Sequence, residues 1–121
     1  MRNLVIPGAL LLFTSATALA GDVPDVKASC DERKTEFFAD TCIGFTEKLV
    51  KKGEKFLKAN CSDKGSVLLN TACPKELAVG QCVQDAGASV WTYYSGGKKK
   101  YTPTTAKAAC EEAKGTWVPA K

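Results

Sequence analysis

The chain has 121 residues and a formal charge of +4, with six cysteines and no histidine. A chain of this size supports one ordinary core rather than two. Without histidine it cannot assemble a Ser-His-Asp or Cys-His catalytic set, and so modest a positive charge argues against nucleic acid as a partner.

Residues 1–20 read as an export signal. Arg2 precedes an apolar stretch centred on Leu10 to Phe13, and Ala18-Leu19-Ala20 has the small-x-small pattern accepted by signal peptidase. Pro7 and Gly8 interrupt the apolar run, which falls short of the roughly 20 residues needed to span a bilayer. The expected product is residues 21–121, its charge lowered from +4 to +3 by loss of Arg2. No later apolar run is long enough to span a membrane, so the mature chain is expected in the periplasm or outside the cell.

All six cysteines, Cys30, Cys42, Cys61, Cys73, Cys82 and Cys110, follow this leader. In an exported chain of this size they imply three disulfides. A first strand is expected around Cys30 and a second over Phe37 to Phe45. Thr46 to Ala59 predicts an amphipathic helix with Leu49, Gly53, Phe56, Leu57 and Asn60 near one face. Lys48, Lys51, Lys52, Lys55 and Lys58 occupy the rest, and Glu47 with Lys51 and Glu54 with Lys58 form favourable i,i+4 pairs. The lysine face is read as solvated. A second reading makes it an anion-binding face, helped by Lys98 to Lys100. After Gly65, Val67 and Leu68 predict a short strand.

In the second half, Gln81 to Gln84 predicts a short strand. Ala88 to Tyr94, rich in β-branched and aromatic residues, predicts another, ended by Ser95-Gly96-Gly97. A helix follows, with Thr102 as N-cap, Pro103 at its first position, Lys114 in its last turn and Gly115 as its stop. Thr116 to Val118 predicts a closing strand that Pro119 terminates.

The two halves share a plan. Lys58-Ala59-Asn60-Cys61 followed by Gly65 and a strand parallels Lys107-Ala108-Ala109-Cys110 followed by Gly115 and a strand. The expected fold class is therefore α+β: a small disulfide-stapled domain, mainly antiparallel sheet with two helices on one side. It would be built from two related strand-strand-helix-strand units at about 28–74 and 78–119. The expected core is Phe37, Phe38, Phe45, Leu49, Phe56, Leu57, Val67, Leu68, Val90, Trp91 and Trp117.

Six cysteines allow fifteen pairings. Matching the units pairs Cys30 with Cys61 and Cys82 with Cys110, leaving Cys42 with Cys73. A competing pattern pairs Cys30 with Cys42 and Cys61 with Cys73, at equal spacings. No C-x-x-C pair occurs, so neither a metal site nor redox catalysis is expected. Nor is there a phosphate-cradling glycine loop, a calcium loop or a dinucleotide fingerprint, and no cofactor is expected.

Carboxylates are the remaining catalytic option, and Asp31, Glu32, Glu36, Asp40, Glu111 and Glu112 are the candidates. Such residues ordinarily sit on solvated loops and helix ends, and no catalytic residue is assigned. A possible-contact reading falls instead on Tyr94, Lys98, Lys99, Lys100 and Tyr101, since tyrosine combines apolar area with a polar tip. The expected partner of that surface is an extracytoplasmic protein or an envelope polysaccharide.

Cys30-Asp31-x-Arg33 with Cys42, Cys61, Cys73-Pro74, Gly80-x-Cys82, Tyr93-Tyr94, Ala106-Lys107-x-x-Cys110 and Gly115-Thr116-Trp117 form a pattern across nearly all of residues 21–121. This pattern resembles small exported cysteine-rich proteins of bacteria that carry no assigned activity. The resemblance implies export and oxidised cysteines and transfers no functional residue. The expected role is a noncatalytic binding or interaction module, followed by a secreted inhibitor or toxin-like effector, then a carboxylate-based hydrolase.

Overall fold

The computed structural model describes residues 23–121; the expected export signal lies outside them. Six strands form one antiparallel sheet: β1 (Val26–Asp31), β2 (Thr41–Thr46), β3 (Val67–Leu69), β4 (Ala78–Gln84), β5 (Ser89–Tyr94) and β6 (Thr116–Pro119). Their spatial order is β3-β1-β2-β5-β4-β6. Helices α1 (Glu47–Val50), α2 (Glu54–Ala59) and α3 (Pro103–Glu112) complete the α+β architecture, with a 3-10 turn at Asp85–Gly87. Among the described residues three helices thus stand where two are expected. Each half places its last strand outside its first and its second strand at the centre, where β2 pairs with β5.

The pairing register produces one row across the whole sheet: Leu68, Cys30, Ile43, Trp91, Cys82 and Trp117 are successive cross-strand partners. Paired residues in an antiparallel ladder share a face. This row lies on the helical face. There Cys30 and Phe45 pack with Leu57, Phe56 and Leu49, while Cys82 and Tyr93 pack with Ala106, Cys110 and Trp117. Gly80 leaves room for the Trp117 indole, which a β-carbon at that position would strike.

Helix α3 follows its sequence signals. Thr102 accepts from the Thr105 amide at 3.1 Å, and Thr105 Oγ1 accepts from the Thr102 amide at 2.9 Å. This reciprocal cap, with Pro103 at the first position, sets the start. At the other end Lys114 takes the left-handed conformation (φ 63°), and the Gly115 amide donates back to the Cys110 carbonyl at 3.0 Å. Gly115 is needed for space rather than for its φ, because a β-carbon there would meet Cys82 Sγ.

The expected helix from Thr46 to Ala59 is instead two short ones. The Lys51, Lys52 and Gly53 amides close turns onto Glu47, Leu49 and Val50, and Gly53 (φ 104°) starts α2 in a conformation other residues resist. The lysine stripe is therefore discontinuous. Of the two expected i,i+4 pairs, Glu54 with Lys58 forms at 3.6 Å. The expected strand from Phe37 also starts late, at Thr41. Residues 32–40 form a tight loop instead, so Phe37 projects from the core assigned to it, as does Val67 at the sheet edge, while Phe38 is partly exposed with its ring edge-on to Trp91 at 5.7 Å.

The disulfides are Cys30–Cys61, Cys42–Cys73 and Cys82–Cys110. The first and third fasten a first strand to a helix end on the helical face. The second points the other way, holding the segment before β4 against the face opposite the described helices. There Ser29 Oγ donates to the Thr71 carbonyl at 2.8 Å and Tyr94 Oη to the Pro74 carbonyl at 2.6 Å. Cys30, Cys42, Cys82 and Cys110 are fully buried.

Each bridge closes a loop whose denatured-state freedom is worth about 3.6 kcal/mol in the chain-entropy treatment, comparable to a large part of a small domain's net stability. Replacing Cys42 and Cys73 together with alanine should lower unfolding stability by about 2–4 kcal/mol in urea titrations. Hydrogen exchange should then rise first at 71–77 and at Tyr94. A loss spread evenly over both faces would contradict this assignment of the bridge.

Candidate functional site

Loops from both halves converge at the end of the sheet where β1 and β5 finish and β2 and β4 begin. The loop between β1 and β2 is locked by its own polar groups. Arg33 makes a two-pronged pair with Asp31, Nε to Oδ1 at 2.9 Å and Nη2 to Oδ2 at 2.8 Å, and its guanidinium lies 4.9 Å from the Tyr94 ring centre. Burial opposes ionisation of Asp31, yet the Arg33 hydrogen bonds outweigh it and hold the carboxyl below its ordinary range. The Thr35 amide and hydroxyl both donate to the Glu32 carbonyl, at 2.9 and 2.8 Å, and Thr35 Oγ1 accepts from the Phe38 amide at 3.1 Å.

Asp40 links this loop to the one after β5. Its carbonyl accepts from the Tyr94 amide, and its Oδ2 accepts from the Lys99 and Lys100 amides at 2.9 and 2.7 Å. Gly97 lies so close to the same carboxylate that a β-carbon there would overlap it. The Ser95 to Lys100 loop is thereby folded over the start of β2. On the other side, the turn after Cys61 is closed by Ser66, whose amide and hydroxyl donate to the Asp63 carbonyl. Gly65 in that turn packs against the Lys34 carbonyl.

Between these three segments lies an open cleft of about 520 Å³ lined by Arg33, Lys34, Lys64 and Lys98, with Thr35 and Glu36. Asp31 neutralises Arg33. Lys34, Lys64 and Lys98 are exposed and belong to no ion pair among the described residues. Glu36 is the carboxylate among the lining residues, and Lys34 also attracts the Asp31 carboxylate. The arrangement can hold an anionic group by long-range attraction and by lysine N–H donors.

Of the five sequence-derived contact residues, Lys98 joins the cleft. Lys99 and Lys100 are exposed beside it, anchored through their amides. Tyr101 is half-buried, its ring edge-on to Tyr93 at 4.9 Å. Tyr94 corrects the expectation: it is 2% exposed, roofed by the segment tethered through Cys42–Cys73. Burial pushes its hydroxyl up to about 12. It supports Arg33 from beneath and offers no contact surface.

Sequence reading missed Arg33, Lys34 and Lys64. The signal was present in the matched pairing, because joining Cys30 to Cys61 brings together the basic residues that closely follow each cysteine. Four of the candidate carboxylates gather in or beside the β1–β2 loop, and two lie apart on α3. Asp31 pairs with Arg33, Asp40 holds amides, and Glu111 and Glu112 lie exposed on α3. Glu32 is 3% exposed, and its Oε1 has no hydrogen-bond partner among the described residues. Burial, then Asp63 and Asp31, raise its pKa above the ordinary range.

A second groove of about 450 Å³ lies on the face opposite the described helices, over Val90, Thr92, Gln81 and Val118, bordered by Pro74 and the carboxyl-terminal residues. No free cysteine is present, and no cluster of three metal-ligating side chains occurs among the described residues. Comparison with protein-family models, with curated proteins and with solved structures finds no match in any of the three.

Asp40→Ala should leave the sheet intact while raising amide exchange at Lys99 and Lys100 at least tenfold; unchanged exchange there would show that Asp40 does not hold the loop. Glu32 supplies a pH test. Its carboxyl is protonated in both states below the unfolded pKa of about 4.3. As pH rises through the raised folded value, ionisation costs the folded state stability. Glu32→Gln should therefore be more stable than wild type at neutral pH, with the gain vanishing in acid. A variant less stable at neutral pH would contradict burial as the dominant cause.

Proposed function

We propose that the protein is an exported, noncatalytic binding module that uses the cleft at the end of the sheet to hold an anionic group of an extracytoplasmic partner. The observation that carries this reading is the convergence of Lys34, Lys64 and Lys98 from three chain segments, exposed and in no ion pair among the described residues. Each segment is held by hydrogen bonds or a disulfide, so little conformational freedom is lost on binding. Export is supported by the leader pattern at 1–20 and by three disulfides, which persist in oxidising compartments.

The test is retention on phosphocellulose at low salt. Wild type should bind and elute as salt screens the contact. Lys34→Glu with Lys64→Glu and Lys98→Glu should flow through, whereas Lys48→Glu with Lys51→Glu and Lys55→Glu, an equal change of charge on the helices, should still be retained. Glu36→Gln should elute later than wild type. Equal loss from both triple reversals would reduce the cleft to a contribution to net charge and overturn the reading.

A further inference from the structure

The large apolar side chains left open to solvent among the described residues are Phe37 (76% exposed), Leu77 (65%), Val67 (54%) and Phe38 (37%). All four lie at the cleft's end of the sheet. Phe37 and Phe38 sit in the β1–β2 loop, Val67 begins β3 opposite Asp31, and Leu77 immediately precedes β4. Leu77 also lies over the hairpin loop that carries Lys98, close enough to Gly96 to exclude a β-carbon there.

A lysine comes two or three residues before an apolar tip in each segment: Lys34 before Phe37, Lys64 before Val67 and Lys75 before Leu77. Chance scattering of surface hydrophobics would not confine them to one end or set a lysine two or three residues ahead of three of the four.

Building on the anion-binding reading of the cleft, we infer that this end of the molecule docks on the surface of a bilayer containing anionic phospholipid. Lysines at headgroup depth meet lipid phosphates, while apolar tips one step further along each segment enter the boundary with the acyl chains. An acidic polysaccharide would satisfy the lysines but give no reason for Phe37 and Leu77 to stay exposed. A protein interface would favour an apolar patch ringed by polar groups over apolar tips interleaved along the chain with lysines. The attachment is peripheral, since no helix among the described residues is long and apolar enough to cross a membrane. Tight loops suit this role: Asp40 and the Cys30–Cys61 bridge fix the tips and lysines before contact.

The test uses disulfide-bonded protein recovered from the extracytoplasmic fraction of an exporting bacterium, with its N-terminus determined by mass. Sedimentation with vesicles of phosphatidylcholine alone, and of phosphatidylcholine mixed with phosphatidylglycerol, should show binding to the anionic vesicles only, lost at high salt. Removing the charge of Lys34, Lys64 or Lys98 should weaken binding roughly fivefold each. Phe37→Ser and Leu77→Ser should weaken it roughly tenfold each while leaving phosphocellulose retention unchanged. Both apolar positions are exposed, and near-ultraviolet circular dichroism checks that each variant keeps its fold. Vesicle binding indifferent to Phe37→Ser and Leu77→Ser, or binding to soluble polygalacturonate through the lysines without binding to vesicles, would overturn the bilayer inference and leave the cleft reading standing. Failure to bind vesicles, polygalacturonate and phosphocellulose alike would overturn both.

Discussion

One sheet of six strands has two faces to cover, and among the described residues the helices lie on only one of them. The buried disulfides resolve this. Cys30–Cys61 and Cys82–Cys110 rivet the helical layer to strands just inside each edge of the sheet, and both bridges spring from the single row of side chains that crosses all six strands. Cys42–Cys73 then pulls an irregular segment across the opposite face, where it shields Tyr94 and accepts hydrogen bonds from Ser29 and Tyr94. With hydrophobic clusters this small, covalent closure supplies what burial alone cannot.

The candidate binding end is a by-product of the same fastening. The Cys30–Cys61 bridge brings the turn bearing Lys64 beside the loop bearing Lys34. Asp40, at the mouth of the strand that carries Cys42, folds the Lys98 loop onto them. Tyr94, sealed beneath, becomes the platform on which Arg33 and its partner Asp31 rest. Stability and the proposed binding end therefore share residues, and loosening a bridge would scatter the lysines as well as weaken the fold.

Features governed by short-range chemistry were legible in the chain. The Thr102 cap with Pro103, the β-branched and aromatic run of β5, and the pairing obtained by matching the two halves all agree with the structure. What escaped depends on contacts remote in sequence. Residues 46–59 have helical periodicity throughout, but the turn at Lys51 to Gly53 redirects the chain so that Leu57 reaches Ala28, Cys30 and Phe45. Phe37 and Phe38 carry a strand-like signature, yet the hydrogen bonds of Thr35 and the left-handed Asp40 hold them in a loop. Tyr94 alternates onto the second face as expected. That a loop without regular structure would bury it follows only from the Cys42–Cys73 bridge.

Peptide mapping of the unreduced protein tests the covalent framework most directly. The account predicts linked peptides joining Cys30 to Cys61, Cys42 to Cys73 and Cys82 to Cys110, with no alkylatable thiol before reduction. Linkage of Cys30 to Cys42 and Cys61 to Cys73, or free thiols at the buried cysteines, would contradict it, because neither the cover of the second face nor the meeting of Lys34 with Lys64 would then have a cause.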